Sequence, residues 1–232
     1  AVLTNNETEN LILAVSGTGT LTVLPAKLTI QVNDVSRIYG EPNPALSVSY
    51  NGFVNGENES VLNGTLVLAY NESINETTAV DTYENVTTAS GLTSGNYDIT
   101  YVPGNVTITK IPVRASAGTA RRAYLNVVLD KSLEGLTEAN FVVKDSKGNV
   151  VAVTSVSALP GNTTYSLKGV FEVGEKHTVK VVLSGAAVDA THQMSTDEFE
   201  ITPIRTSGGT SGGGGTSGGS GNSGNGGSAA TT

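Results

Sequence analysis

Apolar and polar residues alternate along much of the chain with a period of two. Leu28, Ile30 and Val32 alternate with Thr29 and Gln31, and Leu46, Val48 and Tyr50 alternate with Ser47 and Ser49. Ile99 and Tyr101 flank Thr100, and Val106 and Ile108 flank Thr107. Side chains of a strand point to opposite faces in turn, so each run predicts a strand with one buried and one wet face. The stretch GENESVLNG breaks the alternation and is expected to form one or two helical turns. Farther on, AYLNVVLD, ANFVVKD, NVVAVTSVS, TTYSL, HTVKVVLSG and DEFEIT predict six strands with no helical interruption, the pattern of a β-sandwich. KDSKGN is expected to be a hairpin turn, with Gly148 able to take positive φ.

Pro25, Pro112 and Pro203 stand between or after these runs. A proline inside a central strand removes a ladder donor, so they mark breaks. Four regions result: 1–25, 26–110, 111–204 and 205–232. The last is a Gly/Ser/Thr tract with almost no side chain to bury, and a disordered linker is expected there. Its glycines lack the flanking strand, helix and lysine of a phosphate-binding loop. NLILAVSGTGTLTVLP and NYDITYVPGNVTITK share one layout about 85 residues apart: Asn, strand, Gly-centred turn, strand. Residues 1–25 are therefore expected to close a preceding repeat. Both ends are read as cut, and the chain as part of a longer protein.

The segment RIYGEPNPAL, Arg37 to Leu46, is either a binding site or a joint. Gly40 is expected to end the domain's first strand. Pro42 and Pro44 hold the following residues extended, and Leu46 begins the second strand. Tyr39 is expected over the edge of the core. No converging polar groups are legible there, which favours a stiff joint. The same residues carry a resemblance. Tyr39, Gly40, Asn43, Pro44, Leu46, the stretch from Tyr50 to Gly56 and Asn96 to Lys110 resemble the MBG domain of the YGX type. That family implies a small β-grasp-like module repeated in bacterial surface proteins and adhesins, with no catalytic residues to carry over. Residues 111–204 resemble, less specifically, the immunoglobulin-like domains of bacterial cell-wall proteins. In such proteins a Gly/Ser tract often leads to S-layer homology domains that hold wall polysaccharide. The fold class expected is mainly β: a β-grasp-like domain, an immunoglobulin-like sandwich and a disordered tail.

Composition narrows the chemistry. The 232 residues carry a formal charge of −8 and no cysteine, which excludes disulfides and thiol chemistry and argues against nucleic acid. No apolar stretch is long enough for a membrane helix, and the N-terminus has no signal pattern. His177 is expected to face outward from its strand, and His192 to lie in a polar loop. Asp145 to Asn149 have a calcium-loop flavour, but the closing Glu is missing and Lys147 intrudes, so a turn is expected. Asp197 and Glu198 point to opposite strand faces and form no carboxylate pair. The last strand lacks the asparagine of a Lys–Asn isopeptide bond. Eight Asn-X-Ser/Thr sequons begin at Asn6, Asn58, Asn63, Asn71, Asn75, Asn85, Asn105 and Asn162; Asn- and Thr-rich composition generates them by chance, and glycosylation, the alternative, needs an exporting host with the transferase. Tyr50, Tyr97 and Tyr101 share core parity, leaving few aromatic faces for sugars. No catalytic residue, cofactor or metal is expected.

The function that follows is a non-catalytic spacer on a bacterial cell surface. Its link to wall polysaccharide would run through domains outside this chain. The alternatives are an adhesin module for host glycan or mucin, and an accessory region of a secreted polysaccharide-degrading enzyme.

Overall fold

The computed structural model describes residues 22–196 and 198–205. The expectations of a closing hairpin before residue 22 and of a disordered linker after residue 205 lie outside the described residues, as do Asn6 and Asp197. The chain is mainly β, as its alternation requires.

Eight strands form the first assembly. They are β1 (Ala26–Val32), β2 (Val35–Ile38), β3 (Val48–Asn51), β4 (Asn63–Tyr70), β5 (Asp81–Tyr83), β6 (Thr87–Thr93), β7 (Tyr97–Val102) and β8 (Val106–Thr109). They pair as β3-β1-β7, β2-β8-β5 and β4-β6. β1 runs antiparallel to β3 and parallel to β7, with Ala26 opposite Tyr97 and Gln31 opposite Val102. β2 runs parallel to β8, from Val35 opposite Val106 to Ile38 opposite Thr109. The even members of β1, Leu28, Ile30 and Val32, are buried, and Leu28 and Ile30 pack with Tyr97, Tyr50, Phe53 and Tyr101. A second cluster gathers Ile74, Val106 and Ile108 with Tyr39, Tyr70 and Tyr83. The one short helical piece expected in GENESVLNG is a 3-10 turn, Glu59–Val61, whose start is capped by Asn58.

Two details differ from expectation. Gly40 follows β2, not the first strand, because VNDVSRI breaks at Asn33–Asp34 into two strands. The next strand begins at Val48 rather than Leu46, since both prolines keep their surroundings off the ladder.

Ten strands form the second assembly: β9 (Ile111–Val113), β10 (Ala115–Arg121), β11 (Tyr124–Leu129), β12 (Phe141–Lys144), β13 (Val150–Val151), β14 (Val153–Ala158), β15 (Thr164–Gly169), β16 (His177–Val181), β17 (His192–Met194) and β18 (Phe199–Ile201). Two four-stranded sheets, β10-β11-β15-β14 and β13-β12-β16-β18, enclose one core of Leu125, Val127, Phe141, Val143, Tyr165, Leu167, Phe171, Val179 and their neighbours. This is the expected sandwich, with all six expected runs in strands.

Three further strands escaped the pattern. β10 is ASAGTAR, whose buried members are only Ala115 and Ala120, too small to read as apolar beats. β9 and β17 pair in parallel as a separate two-stranded ribbon. Pro112 therefore lies within a strand instead of between strands. The ribbon is tied by Ile111 N–H to Thr191 O (2.8 Å) and Ser195 N–H to Val113 O (2.8 Å), so the proline nitrogen falls on a non-bonded position. Short 3-10 turns, Glu138–Asn140 and Ala187–Ala190, interrupt a region expected to have none.

Candidate functional site

The YGEPNP segment is held by an arginine that the sequence does not flag. Arg37 shares its face of β2 with Val35 and is only 5% exposed. Its Nε donates to Asn43 Oδ1 (2.9 Å), Nη2 donates to Asn75 O, and Nη1 reaches Ile38 O (3.4 Å). Asn43 Nδ2 in turn donates to Ile74 O (2.8 Å), and Tyr70 Oη donates to Pro44 O (2.7 Å). No carboxylate pairs with this guanidinium among the described residues. A planar fork of five donors can bridge several carbonyl oxygens at once, which an ammonium group cannot. The arginine thus clips the proline segment to the loop after β4. Ahead of it, Ile38 to Glu41 form a turn closed by Glu41 N–H to Ile38 O (3.1 Å), with Gly40 at φ 85° in its third position. Every polar group of the segment named here is turned inward onto its own scaffold. Its contacts are those of a joint.

The residues weighed for chemistry lie apart. His177 does not face outward: it is 1% exposed, edge-on to Phe171 at 5.7 Å between ring centres, with Nδ1 3.2 Å from Glu175 O. The correction follows from parity, because His177 shares the buried face of β16 with Val179 and Val181. His192 sits at the start of β17 instead of in a loop, with Nδ1 2.8 Å from Thr191 Oγ1.

Asp145 builds the expected turn. Its carboxylate accepts from Asn149 N–H (2.8 Å), Lys147 N–H (2.9 Å) and Asn149 Nδ2 (3.0 Å), and Gly148 has φ 85°. The Asn149 side chain, then its backbone N–H, hold the Asp145 carboxyl below the usual carboxylate range. A carboxylate whose oxygens are already taken by three turn donors is poorly placed to ligate a cation. No group of three or more His, Asp or Glu that could hold a metal occurs among the described residues. No helix among them is long and apolar enough to cross a membrane.

The sequons have local structural work. Asn71 Oδ1 accepts from Ser73 N–H and Oγ (both 3.0 Å), and Asn75 Oδ1 accepts from Thr77 N–H (3.0 Å) and Oγ1 (2.7 Å). Asn85 and Asn162 hold left-handed φ values of 56° and 52°. Asparagine tolerates that region and turns its side chain onto the backbone two residues on. The Asn-X-Ser/Thr spacing at 71 and 75 is thus the spacing of a side-chain turn.

Tyr97 is buried, and Tyr50 and Tyr101 are half-buried against the same cluster, as their parity requires. Tyr97 Oη donates to Glu57 Oε2 (2.5 Å) and accepts from Val54 N–H (3.1 Å). The hydrogen bond to Glu57 raises the Tyr97 pKa. Tyr101 Oη donates to Leu92 O (3.0 Å).

The Arg37 joint lies inside a family match. Residues 28–107 match the MBG domain (YGX type). This MBG domain takes in most of β1, all of β2 to β7 and the first half of β8, and it includes the whole Arg37 clip. The family is a non-catalytic module found in bacterial surface proteins. No curated protein matches the chain.

Proposed function

We propose that the chain is a load-bearing spacer of a bacterial surface protein, extracellular and non-catalytic, that holds distal domains away from an anchor. Residues 26–110 would be one module and 111–204 an immunoglobulin-like second, with 205–232 as tether. One observation carries this reading: strands near the beginning of each assembly pair in parallel with strands near its end. β2 lies along β8, tied by Val35 N–H to Asn105 O (3.0 Å) and Tyr39 N–H to Thr109 O (2.9 Å). β1 lies along β7, with Ala26 N–H bonded to Asn96 O (2.9 Å). β9 lies along β17.

Tension applied at the chain ends enters at β1 and leaves at the end of β8. To extend the module, β1 must be drawn past β7 and β2 past β8, and the ladder bonds of each parallel pair carry load together. Antiparallel neighbours joined by a turn would instead open from one end, bond by bond. A module built this way resists stretching without needing high thermal stability.

Single-molecule stretching of the full chain tests it. Val35→Pro removes a bond of the β2–β8 ladder, whereas Val48→Ala trims β3 outside it. With thermal costs matched by temperature, Val35→Pro should lower the rupture force of the MBG domain well below that of Val48→Ala. Equal rupture forces for the two variants would refute the load-bearing role.

A further inference from the structure

Five arginines occur in this acidic chain, and three of them, Arg121, Arg122 and Arg205, line one cleft of about 610 Å³. The other lining residues are Ala123, Tyr124, Glu172, Val173 and Ile204. Backbone bonds fix the walls. Arg121 pairs with Tyr124 across the β10–β11 turn. Phe171 N–H donates to Arg122 O (2.8 Å), Ile204 N–H to Ala120 O (3.2 Å), and Gly174 N–H to Pro203 O (2.9 Å). Three chain segments distant in sequence are thereby drawn around one opening.

The charge placement is unusual. Three guanidinium groups against one carboxylate leave a local charge of +2 on a chain of −8. Arg121 Nη1 donates to Ala120 O (2.9 Å), and none of the three arginines forms an ion pair with a carboxylate among the described residues. Like charges gathered without partners repel one another, a cost of folding that a bound anion would remove. Guanidinium forks match the paired oxygens of carboxylate and sulfate. The Tyr124 ring and the Val173 and Ile204 side chains add an apolar wall, which a small inorganic anion would not use but a sugar ring would. The volume lies within the range of small-ligand sites, about 300–1,000 Å³.

We infer that this cleft binds acidic polysaccharide, gripping a sugar unit that carries a carboxylate or sulfate. The inference does not depend on the spacer reading. It also sets aside the expectation of little glycan binding, which was argued from the tyrosines of residues 26–110 and did not weigh Tyr124 or the arginines.

The experiment measures retention of the full chain by immobilised polygalacturonate, heparin and neutral dextran at low and physiological salt. Retention on polygalacturonate identifies the carboxylate source and retention on heparin the sulfate source, and dextran should retain nothing. Arg121→Gln with Arg122→Gln should weaken binding by about tenfold, the scale of losing charge-assisted hydrogen bonds. Glu172→Gln should strengthen it. Lys27→Gln with Lys176→Gln removes the same charge from exposed positions elsewhere and should change affinity by less than about twofold. Circular dichroism confirms that each variant is folded. The inference fails if neither acidic polymer is retained at low salt, or if the lysine pair weakens binding as much as the arginine pair. It also fails if inorganic sulfate binds as tightly as the polymers.

Discussion

At the scale of single residues, two glycines and an arginine decide whether the MBG domain closes. Gly40 has φ 85° but open space where a Cβ would stand, so only backbone strain opposes a side chain. Gly40→Val should cost about 1–3 kcal/mol in denaturant unfolding. Gly52, at φ 117°, differs: a Cβ there would lie 2.2 Å from Lys27 O, in the backbone of the paired strand. Gly52→Ala should therefore cost more than Gly40→Ala in the same assay, and the reverse order would show that strain outweighs the close approach. Arg37→Met would leave Asn43 Oδ1 and Asn75 O without their donor, and about 2–4 kcal/mol should be lost. Arg37→Lys should recover little of it, since one ammonium cannot span both oxygens. The Arg37 clip was not legible in the sequence. A charged residue at an alternating position reads as outward, and only the fold shows that loops close over it. His177 was misread in the same way: a titratable side chain at the start of a strand reads as outward, although its parity with Val179 and Val181 puts it on the buried face.

At the scale of elements, apolar beats were readable wherever the side chains were large. β1, β11, β12 and β16 stand where Leu, Ile, Val and Phe recur at every second position. β10 was hidden because alanine and glycine carry little hydrophobic signal, although Gly118 sits close against Asn126 and Val128 of the neighbouring strand. β9 and β17 were hidden because three residues do not span two repeats of the two-residue period. The β12–β13 turn was legible in Asp145 and Gly148, and it makes a prediction. The folded Asp145 carboxyl titrates below its ordinary value, so its stabilising contribution is complete above the usual carboxylate range and is lost as pH falls through the folded value. A carbon-detected NMR titration should find Asp145 titrating below the ordinary carboxylate range, and Asn149→Ala should move it back toward that range.

At the scale of the whole molecule, the sandwich has one continuous core, while the MBG domain divides its apolar side chains between two small clusters. Tyr165 lies deep in the sandwich and donates to Leu133 O. Burial, then the charge of Glu134, raises its pKa above 10.0. The fold therefore favours the neutral phenol. That contribution is complete below the unfolded value near 10 and is lost as pH rises through the folded value. Tyr165→Phe should be less stable at neutral pH but lose less stability between neutral and strongly alkaline conditions. An unchanged slope with pH would place the alkaline sensitivity elsewhere.

The parallel pairings have a consequence for the order in which the chain can fold. Ala26 meets Tyr97, and Val35 meets Val106, each 71 positions later. The first strand has no parallel partner until almost the entire MBG domain has been synthesised. Loop closure over that distance must precede the contacts that reward it, which makes folding slow. A polypeptide ending at residue 102 lacks β8, and with it the central strand of β2-β8-β5. It should stay open to protease, whereas one ending at residue 110 should become resistant. A chain that cannot close until its last strand appears remains threadable for as long as it is being made, and a threadable chain can pass a pore that the closed module cannot.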